Sequence, residues 1–435
     1  MCLILKVKYP EELIQVLWKC RLYANAAIRC VGGEQVQVLS PGIYNRDAGP
    51  DFLQAKLRIN NLLWVGHVEI HWDAKSWFAH RHQDDLRYDN VILHVVWENE
   101  CEIRRKDGTI IPTLQLKDYV SADILKQHHH LQQSRAWIPC ADQLQDVPLH
   151  IKLQMLDRMA KSRLEAKAAE ISLLLVHYKN DWEKVTQQLF AESFGMRVNK
   201  HAFSQLIASL PANILDRYQG KRKKLEALLF GQAGLLSQDP SDNYAAELHD
   251  QYVYLQQLYQ LRPMSSHEWR FLRMRPANFP TVRIAQLASV FSEMTRICQL
   301  IVSTENLRAL QHYFVDISTS EYWSTHYIFG KVVKKHAVRI TSTFLDHIAI
   351  NCFVPILYAY GHRHGDESLL MRAIDWLNQI PVEQNTITSH FAKIGLSAQH
   401  AADSQALIQL HRAYCEPKQC LSCAIGIHLL GRTRS

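Results

Sequence analysis

The hydrophobic period of this chain changes once, and that change limits what it can fold into. Up to about residue 117 apolar side chains alternate along the sequence, the two-residue period of strands with one buried face. From residue 148 onward they recur every three to four positions, the period of helices packed along one stripe. Gln35-Val-Gln-Val-Leu, Phe52-Leu-Gln-Ala-Lys-Leu-Arg-Ile and Leu62 to Trp72 read as three strands, the last two joined at Asn60-Asn61, a hairpin turn signal. Asn90-Val-Ile-Leu-His-Val-Val-Trp is almost continuously apolar, as a strand covered on both faces is. Residues 10–24 have helical spacing and open on Pro10 and two glutamates, and residues 74–88 suit a short helix and a loop. The expectation is an α+β chain. A mixed α/β sheet domain over 1–117, in the order α-β-β-β-(α)-β with a further hairpin turned at Asp107-Gly108, comes first. A linker over 118–147 and a large, mostly helical region over 148–435 follow.

With 435 residues, 47% of them hydrophobic, the chain can build two or three domains with real cores. Its net charge of +7 permits a nucleic-acid partner without demanding one. Most of the ten cysteines are scattered and the N-terminus lacks a secretory h-region, which points to a reduced, cytoplasmic setting. The most apolar stretch, 344–360, is interrupted by Asp346, His347 and Asn351. No membrane span is therefore expected.

The chemistry-bearing residues concentrate in Asp47-Ala-Gly-Pro-Asp51-Phe and Val68-Glu69-Ile-His71-Trp. Asp51 heads one strand, and Glu69 and His71 share a face of the next because strand side chains alternate. A Mg²⁺ or Mn²⁺ ion wants oxygen ligands, which Asp51 and Glu69 would supply, with His71 positioning the attacking water. His80, His82 and His94 lie close by in sequence. With Glu69 and His71 they suit a mixed histidine–carboxylate site for zinc, manganese or iron. They equally suit loop residues at a sheet edge (His80, His82) and a hydrogen-bonded core histidine (His94).

Two further groups stand out. Cys415, Cys420 and Cys423 are spaced as zinc or iron–sulfur ligands, with His411, Cys140 or His428 as the fourth. Arg270 to Arg283 carries Arg273, Arg275 and Arg283 around Pro-Ala-Asn-Phe-Pro. Arginine forks suit phosphates, and Trp269, Phe271 and Phe279 would stack on bases. A buried turn pairing its arginines internally is the other reading.

Pro50-Asp51 on one strand and Glu69-Ile-His71 on the next resemble the PD-(D/E)xK nuclease core, with His71 in the usual lysine position. Some nucleases of that type carry a cysteine-ligated cluster at the C-terminus. Over nearly its whole length the chain also resembles the DUF2851 family. That resemblance rests on Asp47-Ala-Gly-Pro-Asp-Phe, Gly66-His-Val-Glu-Ile-His, Tyr88-Asp-Asn-Val-Ile-Leu-His, Leu229-Phe-Gly-Gln-Ala-Gly, Arg275-Pro-Ala-Asn-Phe-Pro and the terminal cysteines. It implies a bacterial cytoplasmic protein and lends no activity. The expected function is therefore a metal-dependent phosphodiesterase acting on nucleic acid. The alternatives are a non-catalytic nucleic-acid-binding or structural protein with a cysteine-ligated metal, or a metal-dependent hydrolase of a small substrate.

Overall fold

The computed structural model describes residues 9–24 and 28–432. They form two compact units. Among the described residues one is built from 9–24, 28–156, 390–396 and 409–432, the other from 157–389 and 397–408.

The first unit is a mixed sheet with helices. Helix α1, Glu11–Lys19, carries Glu11 and Glu12 in its first turn and Lys19 in its last, charges that complement the helix dipole. Five strands lie in the order β1 (Val36–Ser40), β3 (Phe52–Ile59), β4 (Leu62–Asp73), β5 (Val91–Glu98), β6 (Thr113–Gln115), and the two-residue β2 (Ile43–Tyr44) pairs with β3. The first three of these run antiparallel, and β4–β5 and β5–β6 are parallel. Asn60 and Asn61 both have positive φ, 47° and 68°, as a two-residue hairpin between right-twisted strands requires. Parallel strands cannot be joined by a tight turn, so β4 reaches β5 through residues 74–90. These hold helix α2, Ser76–Ala79, and two 3-10 turns. The strand reading is thus matched, but the expected hairpin at Asp107-Gly108 is reduced to a single bridge, Arg104 to Ile110.

Residues 118–147, expected as a linker, contain helix α3, Ala122–Gln133, whose cap Ser121 accepts a hydrogen bond from the Asp123 amide at 3.1 Å. Helix α4 runs over Leu149–His177, close to the periodic stretch read as 150–178. Beyond it the chain is helical, and among the described residues no strand follows residue 150 apart from an isolated His326–Val332 bridge. The stretch after residue 408, expected in the helical region, belongs instead to the sheet unit. Periodicity gives the element type and not the surface it packs on. The second unit closes around aromatic rings, Phe190, Phe314 and Phe353 lying 5.4–6.1 Å apart. Ser342–His364 is long and apolar enough to cross a membrane, and 72% of its apolar window is buried inside the protein.

Gly66 sits where β4 meets the start of β5. A Cβ there would lie 2.4 Å from Ile92 Cγ2 and 2.6 Å from the Asn90 carbonyl oxygen, the acceptor of the His67 amide at 2.8 Å. Gly66→Ala is expected to lower stability by about 1–3 kcal/mol, the usual range for overpacking. A urea midpoint equal to that of the unmodified protein would contradict this close approach.

Candidate metal centre

Strand register places the acids. Phe52 pairs with Val68, which sets Asp51 beside Glu69, and the Asp51 amide donates to Glu69 Oε2 at 3.0 Å. Each oxygen of Asp51 accepts one hydrogen bond. Its Oδ1 accepts from Gln15 Nε2 at 2.9 Å and its Oδ2 from the Ile70 amide at 3.0 Å. Gln15 is held in turn by the Tyr44 hydroxyl, which donates to its Oε1 at 3.1 Å. Asp51 therefore ties β3, β4 and α1 together, and Glu69 Oε1 is left facing the histidines.

The parallel register sets Glu69 beside His94, so Glu69, His71 and His94 share one face. Residues 74–90 cover that face. The edge of the buried Trp77 ring packs on His94 and His82, and His82 stacks on Tyr88 at 3.9 Å. The result is a knot of imidazoles. Donor atoms of His71, His80 and His82 all lie within 4.8 Å of one another. Glu69 Oε1 is 3.5 Å from His71 Nε2 and 3.5 Å from His82 Nε2, too far for a good hydrogen bond. His82 Nε2 is buried without a hydrogen-bond partner. Glu69 and His71 are 5% and 2% exposed, whereas His80 is open to solvent. His71 Nδ1 lies 2.8 Å from His94 Nε2. Ligation through His71 Nε2 requires Nδ1 to carry the proton and donate it to His94, the outer-shell bond that commonly orients a ligating histidine.

The electrostatics match. Burial pushes the Asp51 and Glu69 carboxyls up, and the Asp51 charge raises Glu69 further. Burial and neighbouring imidazoles push His71 down to about 2, His82 to about 4 and His94 to about 3. Neutral imidazoles keep the lone pairs a metal needs, and a bound cation would favour the ionised carboxylate. The chemistry of this donor set, three imidazole nitrogens and one carboxylate oxygen, suits zinc, manganese or iron better than magnesium.

The sequence brought Asp51, Glu69 and His71 together correctly in space, and it noted His80, His82 and His94 without fixing their role. The signal for the first two is a His-x-His placed directly after a strand carrying Glu-x-His. The arginines fare differently. Arg273 and Arg275 are exposed, but Arg283 is only 7% exposed. It donates to Asn278 Oδ1 at 2.7 Å and Gln286 Oε1 at 2.9 Å and lies over the Phe344 ring at 3.6 Å. It is not a surface cation, because its guanidinium is buried inside the helical unit, where its Nε has no hydrogen-bond partner. Trp269 is likewise buried, donating through Nε1 to the Ala233 carbonyl at 2.8 Å, and Phe271 and Phe279 pack edge to face.

The chain belongs to the family described as protein of unknown function (DUF2851), matched over residues 11–386. No curated protein and no solved structure matches it, so the nuclease-core resemblance rests on the residues alone.

Arg283→Lys is expected to lower stability by about 1–3 kcal/mol, because the lysine cannot serve both Asn278 and Gln286. Arg275→Ala should leave the denaturation midpoint where it was. Equal midpoints for the two variants would return Arg283 to the surface.

Proposed function

We propose that the sheet unit is a metal-dependent phosphodiesterase acting on nucleic acid, its ion a first-row transition metal held by Glu69, His71, His80 and His82. The observation that carries the proposal is the convergence of the His71, His80 and His82 imidazoles, with Glu69 Oε1 3.5 Å from His71 and from His82, buried on one side and open at His80. Support for a phosphodiester comes from the order Pro50-Asp51, Glu69-x-His71 on adjacent strands and from the chain's positive charge. A bound ion would neutralise developing phosphate charge and make water a better nucleophile. In this proposal Asp51 is a positioning residue. Its hydrogen bonds to Gln15 and Ile70 lock the strand ends, and its amide holds Glu69 Oε2 so that Oε1 faces inward. His94 fixes the orientation of His71. A second reading, a small phosphoester as substrate, is favoured by the burial of Glu69 and His71, which leaves His80 as the exposed donor.

The test is metal content and cleavage, measured together on the full chain. Protein loaded with manganese, zinc or iron should retain about one ion and cleave single- or double-stranded nucleic acid. Glu69→Gln and His82→Ala should lose the ion and reduce cleavage by on the order of a thousand-fold, the several kcal/mol a catalytic metal supplies. Asp51→Asn should keep the ion with roughly 10–100-fold weaker affinity, as outer-shell changes do. Absence of any bound transition metal in the unmodified protein would end the proposal. Cleavage of a small phosphodiester with nucleic acid untouched would select the second reading.

A further inference from the structure

The helical unit holds a buried cation without a counter-charge. Arg283 stands in the first turn of helix Pro280–Glu293 and is 7% exposed. Its two side-chain hydrogen bonds go to neutral amide oxygens, Asn278 Oδ1 and Gln286 Oε1. Among the described residues no carboxylate pairs with it, and its Nε has no hydrogen-bond partner. A guanidinium has five N–H donors, so Arg283 has donors to spare. Burial lowers its pKa to about 10, which leaves it charged at neutral pH. A buried charge without a partner of opposite sign is costly.

Arg283 lines a cleft of about 120 Å³ that lies within the helical unit. One wall is the start of its own helix, with Asn278, Val282 and Gln286, and the other is a loop carrying Tyr327, His336 and Arg339. The Thr281 hydroxyl joins the two walls, donating to the Tyr327 carbonyl at 2.5 Å. Gln286 Nε2 donates to the Arg339 carbonyl at 3.2 Å, while the Arg339 side chain is exposed. Tyr327 stacks on His336 at 4.0 Å, and His336 Nε2 is buried without a hydrogen-bond partner. No side chain caps the helix, and Pro280 opens it. Its next amides, those of Thr281 and Val282, have no helical acceptor and sit at the positive end of the helix dipole. The two segments that build the cleft, 269–292 and 322–345, carry arginines and lysines but no aspartate or glutamate.

We propose that this cleft binds a phosphate dianion, either the free ion or the phosphate end of a monoester. Arg283 is its buried counter-charge and Arg339 closes the exposed side. The uncapped helix start adds positive potential, as helix N-termini do at phosphate sites. Size and charge set the class. The volume admits one small polar group with its nearest waters and falls well short of a whole cofactor. Two guanidinium charges beside a helix N-terminus suit a dianion better than a singly charged carboxylate. The proposal uses no residue of the histidine centre and does not rest on the phosphodiesterase reading.

The test is calorimetric titration of the full chain, stripped of metal by a chelator, with inorganic phosphate, glycerol phosphate and acetate at constant ionic strength. Phosphate should saturate a single site. Arg339→Ala, which keeps the backbone contact to Gln286, should weaken binding by about tenfold, the effect of losing one charge-assisted contact, and should keep the denaturation midpoint measured without phosphate. Arg283→Gln should abolish binding, and the Arg339 variant decides the matter even where Arg283→Gln does not fold. Binding of glycerol phosphate as well identifies a monoester end, and binding of inorganic phosphate alone identifies the free ion. No binding of either at millimolar concentration overturns the proposal. So does binding unchanged in Arg339→Ala, or acetate bound as tightly as phosphate. With metal removed the histidine centre has no ion to offer a phosphate, so this proposal and the phosphodiesterase reading stand or fall separately.

Discussion

Everything in the sheet unit depends on burying a carboxylate beside imidazoles on a central strand. A buried ionised carboxylate is costly unless it is paired or fully hydrogen-bonded. Glu69 has one such bond, from the Asp51 amide to Oε2, while Oε1 faces nitrogens that lie too far for strong hydrogen bonds. The surrounding structure nevertheless spends a good deal to hold this geometry. Asp51 uses both of its oxygens to lock β3, β4 and α1, and Glu11 accepts the Trp72 amide at 3.0 Å at the far end of the same strand. Residues 74–90 are laid over the site by Trp77 and Tyr88. Burial raises the Glu69 carboxyl, and the Asp51 charge adds to it, while burial and the neighbouring imidazoles lower His71.

Much of the fold was legible because local rules agreed with the global one. Alternation marked β3 and β4, and Asn60-Asn61 marked their turn through the positive φ both residues adopt. The apolar run from Val91 announced a strand buried on both faces, and the periodic stretch from residue 150 announced α4. What stayed hidden was set by contacts between residues distant in sequence. Arg283 looks like a surface cation, and nothing beside it predicts that Phe344, some sixty positions on, will lie against its guanidinium. His80 and His82 sit in a loop, where period carries no information about direction. The return of residues 409–432 to the sheet unit was invisible for the same reason: a helical stripe says that a face is buried and not against which unit.

The site was legible in part. Glu69 and His71 follow from strand alternation, but the pairing of Asp51 with Glu69 does not follow from the hairpin: the register set at Asn60-Asn61 would put Asp51 opposite Ile70, and a bulge between Phe52 and Ala55 shifts it by one residue. The role of Asp51 did not follow. As a residue type it suits a metal, and its two oxygens accept from the Gln15 side chain and the Ile70 amide, contacts that only the coordinates display.

The division of the chain sets a problem for its closing segment. The helical unit is inserted between residue 156 and the closing stretches of the sheet unit, so the C-terminal segment must find its place after a long excursion of the chain. It is held by apolar burial, with Leu421, Ile425, Leu429 and Leu430 all buried, and by polar ties: Ser422 donates to Glu12 Oε1 at 3.0 Å, Lys418 donates to the Gln132 carbonyl at 2.7 Å, and Arg432 pairs with Asp146 at 3.0 Å, an exposed ion pair that contributes little. Bringing distant segments together costs loop entropy that grows with the length between them, and the burial of these apolar side chains offsets it. The histidine knot is placed differently, by the β3–β4–β5 pairing, whose register sets Glu69, His71 and His94 on one face.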